Sequence, residues 1–213
     1  MRLLLREYQA EGPLRDRPIE IPEGGVELKL APLAWLYHAA AQPARDTVID
    51  VYRIHTFPRP ELHQFVLTVD ESVPWVSEWR LGRHITGNQQ VDSLMARYEA
   101  DLVSYRSSGA GEGFVLLEAG LPLNVQGLGA RFEAVTGVLE SYPNTRGGDG
   151  ADIVLEDSSA GWLLTFSVGW GDCIAGCTER HFWKFSVRED GAVQYVDGWG
   201  SDLSGYVVSA SEG

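Results

Sequence analysis

Cationic side chains are scarce in this 213-residue chain: 17 lysines and arginines stand against 30 aspartates and glutamates, for a net charge of −13. Such a surface repels phosphate backbones and anionic membranes. It excludes nucleic acid as a partner and favours a cationic ligand, calcium or a basic protein patch. No apolar run approaches the roughly 18 residues that cross a bilayer, so no membrane span is expected. The apolar trio Leu3, Leu4 and Leu5 is followed at once by Arg6 and Glu7, which does not make a secretory leader. Cysteine occurs only twice, which excludes a multi-bridge scaffold and a four-cysteine metal knuckle. Also missing are a Gly-x-Ser-x-Gly elbow, a His-Glu-x-x-His pair, a P-loop and a dinucleotide fingerprint. With 44% hydrophobic and 10% aromatic residues, the chain is nonetheless globular and long enough to bury a core.

Both cysteines lie in residues 169–187, GWGDCIAGCTERHFWKFSV, which also hold two tryptophans and a histidine. Cys173 and Cys177 are flanked by Gly171 and Gly176, which permit the tight backbone path of a short bridge. A disulfide here closes a small loop between two strands. So short a ring adds only about 2 kcal/mol, so it acts on loop shape more than on global stability. Zinc is the rival reading, with Cys173, Cys177 and His181 recurring every fourth residue, but a fourth ligand is missing. Unpaired thiols are the third. The pattern Gly-Trp-Gly-Asp-Cys-x-x-Gly-Cys-x-x-Arg-His-x-Trp, from Gly169 to Trp183, resembles one found in exported bacterial proteins of unassigned function. There the residue after the first cysteine is usually proline, and here it is Ile174. The resemblance extends over residues 121–198, including Asn124 and the Gly-Asp-Gly-x-Asp-Ile segment at 148–153, and leaves the first eighty or so residues uncovered. It implies an oxidising, extracytoplasmic address after removal of a leader, and no reaction. A cytoplasmic address is the alternative.

Along the chain, Pro13, Pro18 and Pro22 mark residues 1–25 as an extended lead-in, followed by a short strand at 26–30. The β-branched and aromatic stretch 47–57 predicts a central strand ended by Pro58 and Pro60. Strands are also expected at 63–69, with Phe65, Leu67 and Val69 on one side, and at 75–81. Val91, Leu94, Met95, Tyr98, Leu102 and Tyr105 form one apolar stripe, which predicts a helix over 88–107. Asn124 caps a second helix, with Val125, Leu128, Phe132 and Val135 on one face. From Ile153 to Val196 the alternation is that of a four-stranded meander, with Asp190-Gly191 as its last hairpin. Its apolar face needs a cover, and the Asn124 helix is the nearest candidate. The expected class is α+β: antiparallel β-meanders with two amphipathic helices packed on the sheet. The division is placed near residue 86, into a β-rich region 1–86 and an α+β region 87–213, with a single continuous domain as the alternative.

Candidate sites cluster near the cysteines. Asp172, Glu179 and His181 offer carboxylate–imidazole chemistry for a hydrolase, metal-assisted or not. Asp149 and Asp152 sit in a glycine-rich segment that fits one copy of a calcium-binding nonapeptide, or a plain turn, so a calcium-stabilised structural protein is a further reading. Trp170, Asp172 and Trp199 are candidates for a binding surface beside the cysteine loop, Trp199 being exposed between two glycines. The reading favoured is a non-enzymatic extracytoplasmic module that binds a protein, peptide or small ligand through that loop.

Overall fold

A computed structural model of the chain describes residues 1–56, 61–145 and 147–206. In chain order its elements are α1 (Arg2–Glu11), α2 (Glu23–His38), α3 (Pro43–Asp46), β1 (Gln64–Asp70), α4 (Val76–Arg80) and α5 (Gln89–Arg97). There follow β2 (Ala100–Ser107), β3 (Glu112–Ala119), α6 (Val125–Glu133), β4 (Val138–Pro143), β5 (Asp152–Ser158), β6 (Gly161–Trp170), β7 (Glu179–Arg188) and β8 (Val193–Gly200). The fold is α+β. Two four-stranded antiparallel sheets have the orders β2-β3-β1-β4 and β5-β6-β7-β8. No described helix is long and apolar enough to cross a membrane.

Two compact units divide these elements, and their segments interleave along the chain. The first combines Arg2–Pro22 with Pro60–Thr145; the second combines Glu23–Arg59 with Arg146–Gly213 and Met1. Residue 86, where the sequence placed a division, lies inside the first unit.

In the first unit, the alternation of β1 buries Phe65, Leu67 and Val69 completely. Against them pack Val91 and Met95 of α5 and Leu128 and Phe132 of α6, with the Phe65 and Phe132 rings 5.7 Å apart. Asn124 caps α6 as expected, its side-chain oxygen accepting from the Gly127 amide. It does more than cap. Only 1% exposed, it donates through Nδ2 to the carbonyls of Leu14 (2.7 Å) and Pro18 (3.2 Å), tying the N-terminal segment to the helix.

In the second unit, Leu164, Phe166 and Val168 of β6 and Trp183, Phe185 and Val187 of β7 form one apolar face. Its cover is the early segment: Leu36, Val48 and Ile54 are fully buried in the same core. Trp35 meets Trp162 at 5.7 Å and Tyr52 meets Trp183 at 5.6 Å. The Asn124 helix is therefore not the cover of this sheet. It packs instead on the first sheet through β4, a strand that the short, charge-interrupted run Val138–Pro143 did not announce.

Several N-terminal expectations are overturned. The supposed lead-in contains α1, whose Leu4 and Leu5 are buried. The strand expected at 26–30 lies within α2, which accommodates Pro32. Residues 47–51 form a π-helical turn (Thr47–Val51) running on from α3, not a strand. Along that turn Val48 is buried in the core and Val51 is exposed. Phe57, Pro58 and Pro60 of that expected strand, and the tail from residue 207, lie outside the described residues. The strand expected at 75–81 is α4, which places Trp79 in the core. The long helix expected at 88–107 stops at Arg97, because Glu99 adopts a left-handed backbone (φ 48°) and the chain continues as β2.

Asn124→Ala should cost the first unit about 2–3 kcal/mol, by removing a cap and leaving the buried Leu14 carbonyl without its donor. Urea unfolding followed through that unit's tryptophans would measure it.

Candidate functional site

Strands β6 and β7 are joined by residues 171–178, and Cys173 and Cys177 are bonded to each other within this loop. Two glycines are required by its packing. At Gly169 a Cβ would lie 2.6 Å from the Cys177 sulfur, and Gly171 has φ +88° with Thr178 Oγ1 where its Cβ would be. Asp149 braces the loop from outside. Its amide donates to the Cys173 carbonyl (2.7 Å), and its Oδ2 accepts from the Cys177 amide (3.2 Å). Arg180 at the start of β7 pairs with the same Oδ2 at 2.5 Å. The guanidinium also donates to Gly150 O (2.8 Å) and Ser167 Oγ (2.9 Å), which fixes it to β6.

Burial works to raise the Asp149 carboxyl above its usual range. The Arg180 hydrogen bond, the Gly150 and Cys177 amides and the Arg180 charge together outweigh it, and the net direction is down.

The sequence candidates fall in different places. Trp170 continues the core-facing row of Phe166 and Val168 and packs on Tyr206 at 5.5 Å. Trp199 is paired with Phe182, whose neighbour Trp183 faces the core, so Trp199 and Phe182 are on the opposite face of the sheet. Their rings stack at 5.0 Å and 9°, and Trp199 is 42% exposed. The two tryptophans do not share one surface. Asp172 is exposed in the loop, and close to it Ile174, already noted in the cysteine motif, is 91% exposed.

His181 Nδ1 lies 2.8 Å from the Ser201 carbonyl, and its ring rests on Trp183 at 4.6 Å. A carbonyl only accepts, so Nδ1 carries the proton and is committed to the backbone. Asp172, Glu179 and His181 make no hydrogen bond or ion pair with one another among the described residues. Zinc loses its thiolates to the disulfide. Of the calcium candidates, Asp149 is engaged by Arg180, and Asp152 Oδ1 accepts from the Ile153 amide (2.8 Å). Among the described residues no group of three or more His, Cys, Asp or Glu is placed to hold a metal ion.

All three cations of the second sheet are already paired: Arg180 with Asp149, Lys184 with Glu156 and Arg188 with Asp190. The Arg180 tie was the feature least visible beforehand, although Arg180 sits in the cysteine motif. Compared with family models, with curated proteins and with solved structures, the chain matches none.

Two outcomes follow from this geometry. Because the folded Asp149 carboxyl titrates below its unfolded value near 3.8, its brace is fully present above that value and is lost as pH falls through the lower, folded one. Amide exchange of the loop, corrected for intrinsic rates, should rise only in that acid range. Gly169→Ala should displace the cysteine loop while the sheet survives, which loop-specific amide shifts would show.

Proposed function

We propose that the protein is a non-enzymatic, extracytoplasmic binding module that engages a protein or peptide through the loop 171–178. The observation that carries this is the presentation of Ile174. A single exposed isoleucine is ordinary on a protein surface. This one stands, 91% exposed, in a loop closed by a disulfide and braced by Asp149 and Arg180. An apolar side chain on a loop already ordered loses little entropy on binding, so more of the burial energy appears as affinity. A projecting side chain fits a partner that offers an apolar socket, which favours a macromolecule over a small ligand.

Asp172 adds a charge beside Ile174, and Trp199 with Phe182 adds an aromatic stack on the neighbouring sheet face. Trp170, packed on Tyr206, supports the loop from the core side. The disulfide and the resemblance of the cysteine motif to exported proteins support the extracytoplasmic address.

Ile174→Asp should weaken partner capture by roughly 30-fold or more, as loss of a central apolar contact does. Asp172→Ala and Trp199→Ala should weaken it less. The measurement is capture from a cell-envelope or extracellular fraction, followed by titration with the purified partner. Val51→Asp, at an exposed site on the π-helical turn, is the control. Equal capture by wild type and Ile174→Asp would sink the reading.

A further inference from the structure

Two ties span the same pair of residues. The disulfide joins Cys173 to Cys177 through their side chains. Asp149 joins them through their backbones, donating to the carbonyl of one and accepting from the amide of the other. We propose that Asp149 is a second, non-covalent latch that keeps the loop in shape when the disulfide is reduced. That the latched surface is the one a partner recognises rests on the binding-module reading; the latch itself does not.

The latch is anchored to the sheet. Asp149 Oδ1 accepts from the Gly150 amide (2.7 Å), and Oδ2 is held by Arg180. Arg180 is in turn held by Ser167 Oγ of β6 and by Gly150 O. None of these bonds uses a sulfur atom. When a dithiol such as dithiothreitol reduces the bridge, one of its thiolates attacks a cysteine sulfur and the other cysteine leaves as a thiolate. The second thiolate of the reagent then attacks its own sulfur in the mixed disulfide and expels the remaining cysteine as a thiolate. Cys173 and Cys177 end as thiols, and the reagent ends as a cyclic disulfide. The Asp149 contacts are untouched by every step.

Linkage gives the latch a signature that a merely supporting residue lacks. A tie that holds the reduced cysteines near each other raises the effective concentration of one thiol at the other, and so favours the disulfide. Asp149 should therefore make the bridge harder to reduce, and the bridge should in return strengthen the Asp149 contacts.

The experiment uses the full chain as wild type, Asp149→Ala and Asp149→Asn. In dithiothreitol redox buffers, quenched by alkylation and read by intact mass, Asp149→Ala should shift the equilibrium toward the dithiol by about tenfold, the worth of one charge-assisted hydrogen bond. Asp149→Asn, which keeps a side-chain acceptor, should shift it less. In hydrogen exchange, loop amides of the reduced wild type should stay within about threefold of the oxidised protein. In reduced Asp149→Ala they should exchange at least about tenfold faster. Amides of β6 and β7 report whether each variant is folded, and Asp149→Asn carries the test if the alanine variant is not. Equal redox equilibria in wild type and variants would overturn the latch. So would a loop that exchanges as fast in reduced wild type as in the reduced variant. Neither readout involves a partner, so this failure is distinct from failure of the capture test.

Discussion

The structure of the second unit depends on covering one face of one sheet. Leu164, Phe166, Val168, Trp183, Phe185 and Val187 lie together on β6 and β7. Each is worth about 1.5–3 kcal/mol only when it is out of water. Neighbouring strands of the meander cannot supply the cover, because they lie in the same layer. Leu36, Val48 and Ile54 supply it from the early helical segment. Were that cover lost, the two strands that frame the cysteine loop would lose the packing that sets their register. The loop's shape is thus a local matter of Asp149 and a sulfur bridge, built on a platform that is non-local.

Strands β6 and β7 were legible because each carries an uninterrupted period of two, bounded by turn residues such as Asp190-Gly191. No helix pattern competes with that alternation. The N-terminal quarter was not, for a reason visible in particular residues. The β-branched run at 47–51 reads as a strand by intrinsic preference, yet it packs on a sheet already complete with four strands. There the helical turn places Val48 in the core beneath that sheet, and tertiary packing overrides the intrinsic preference. Proline misled in the same direction, since Pro32 is accommodated within α2. At Glu99 the chain leaves the helix through a left-handed residue that is not glycine, so composition offers no stop signal there.

The site was legible in part. The bridge and the exposure of Trp199 followed from spacing and flanking glycines. The pairing of Asp149 with Arg180 did not, because it spans the whole of β5 and β6, and turn-like glycine and aspartate look alike with or without a distant arginine. Nor could the opposite facing of Trp170 and Trp199 be read beforehand. Alternation fixes faces within a strand, but relating β6 to β8 needs the register across β7. A bulge between Lys184 and Phe185 shifts that register.

Interleaving of the two units has a consequence for synthesis on the ribosome. The segment Glu23–Arg59 leaves the ribosome before the whole of Pro60–Thr145, and its sheet comes after both. At about 5–20 residues per second, Leu36, Val48 and Ile54 wait on the order of ten seconds for the strands they will cover. The first unit can close during that wait, since all its residues have by then been made. The nascent chain therefore passes through a state with one finished unit and one apolar segment in search of its sheet. That interval is when the chain most needs a holdase.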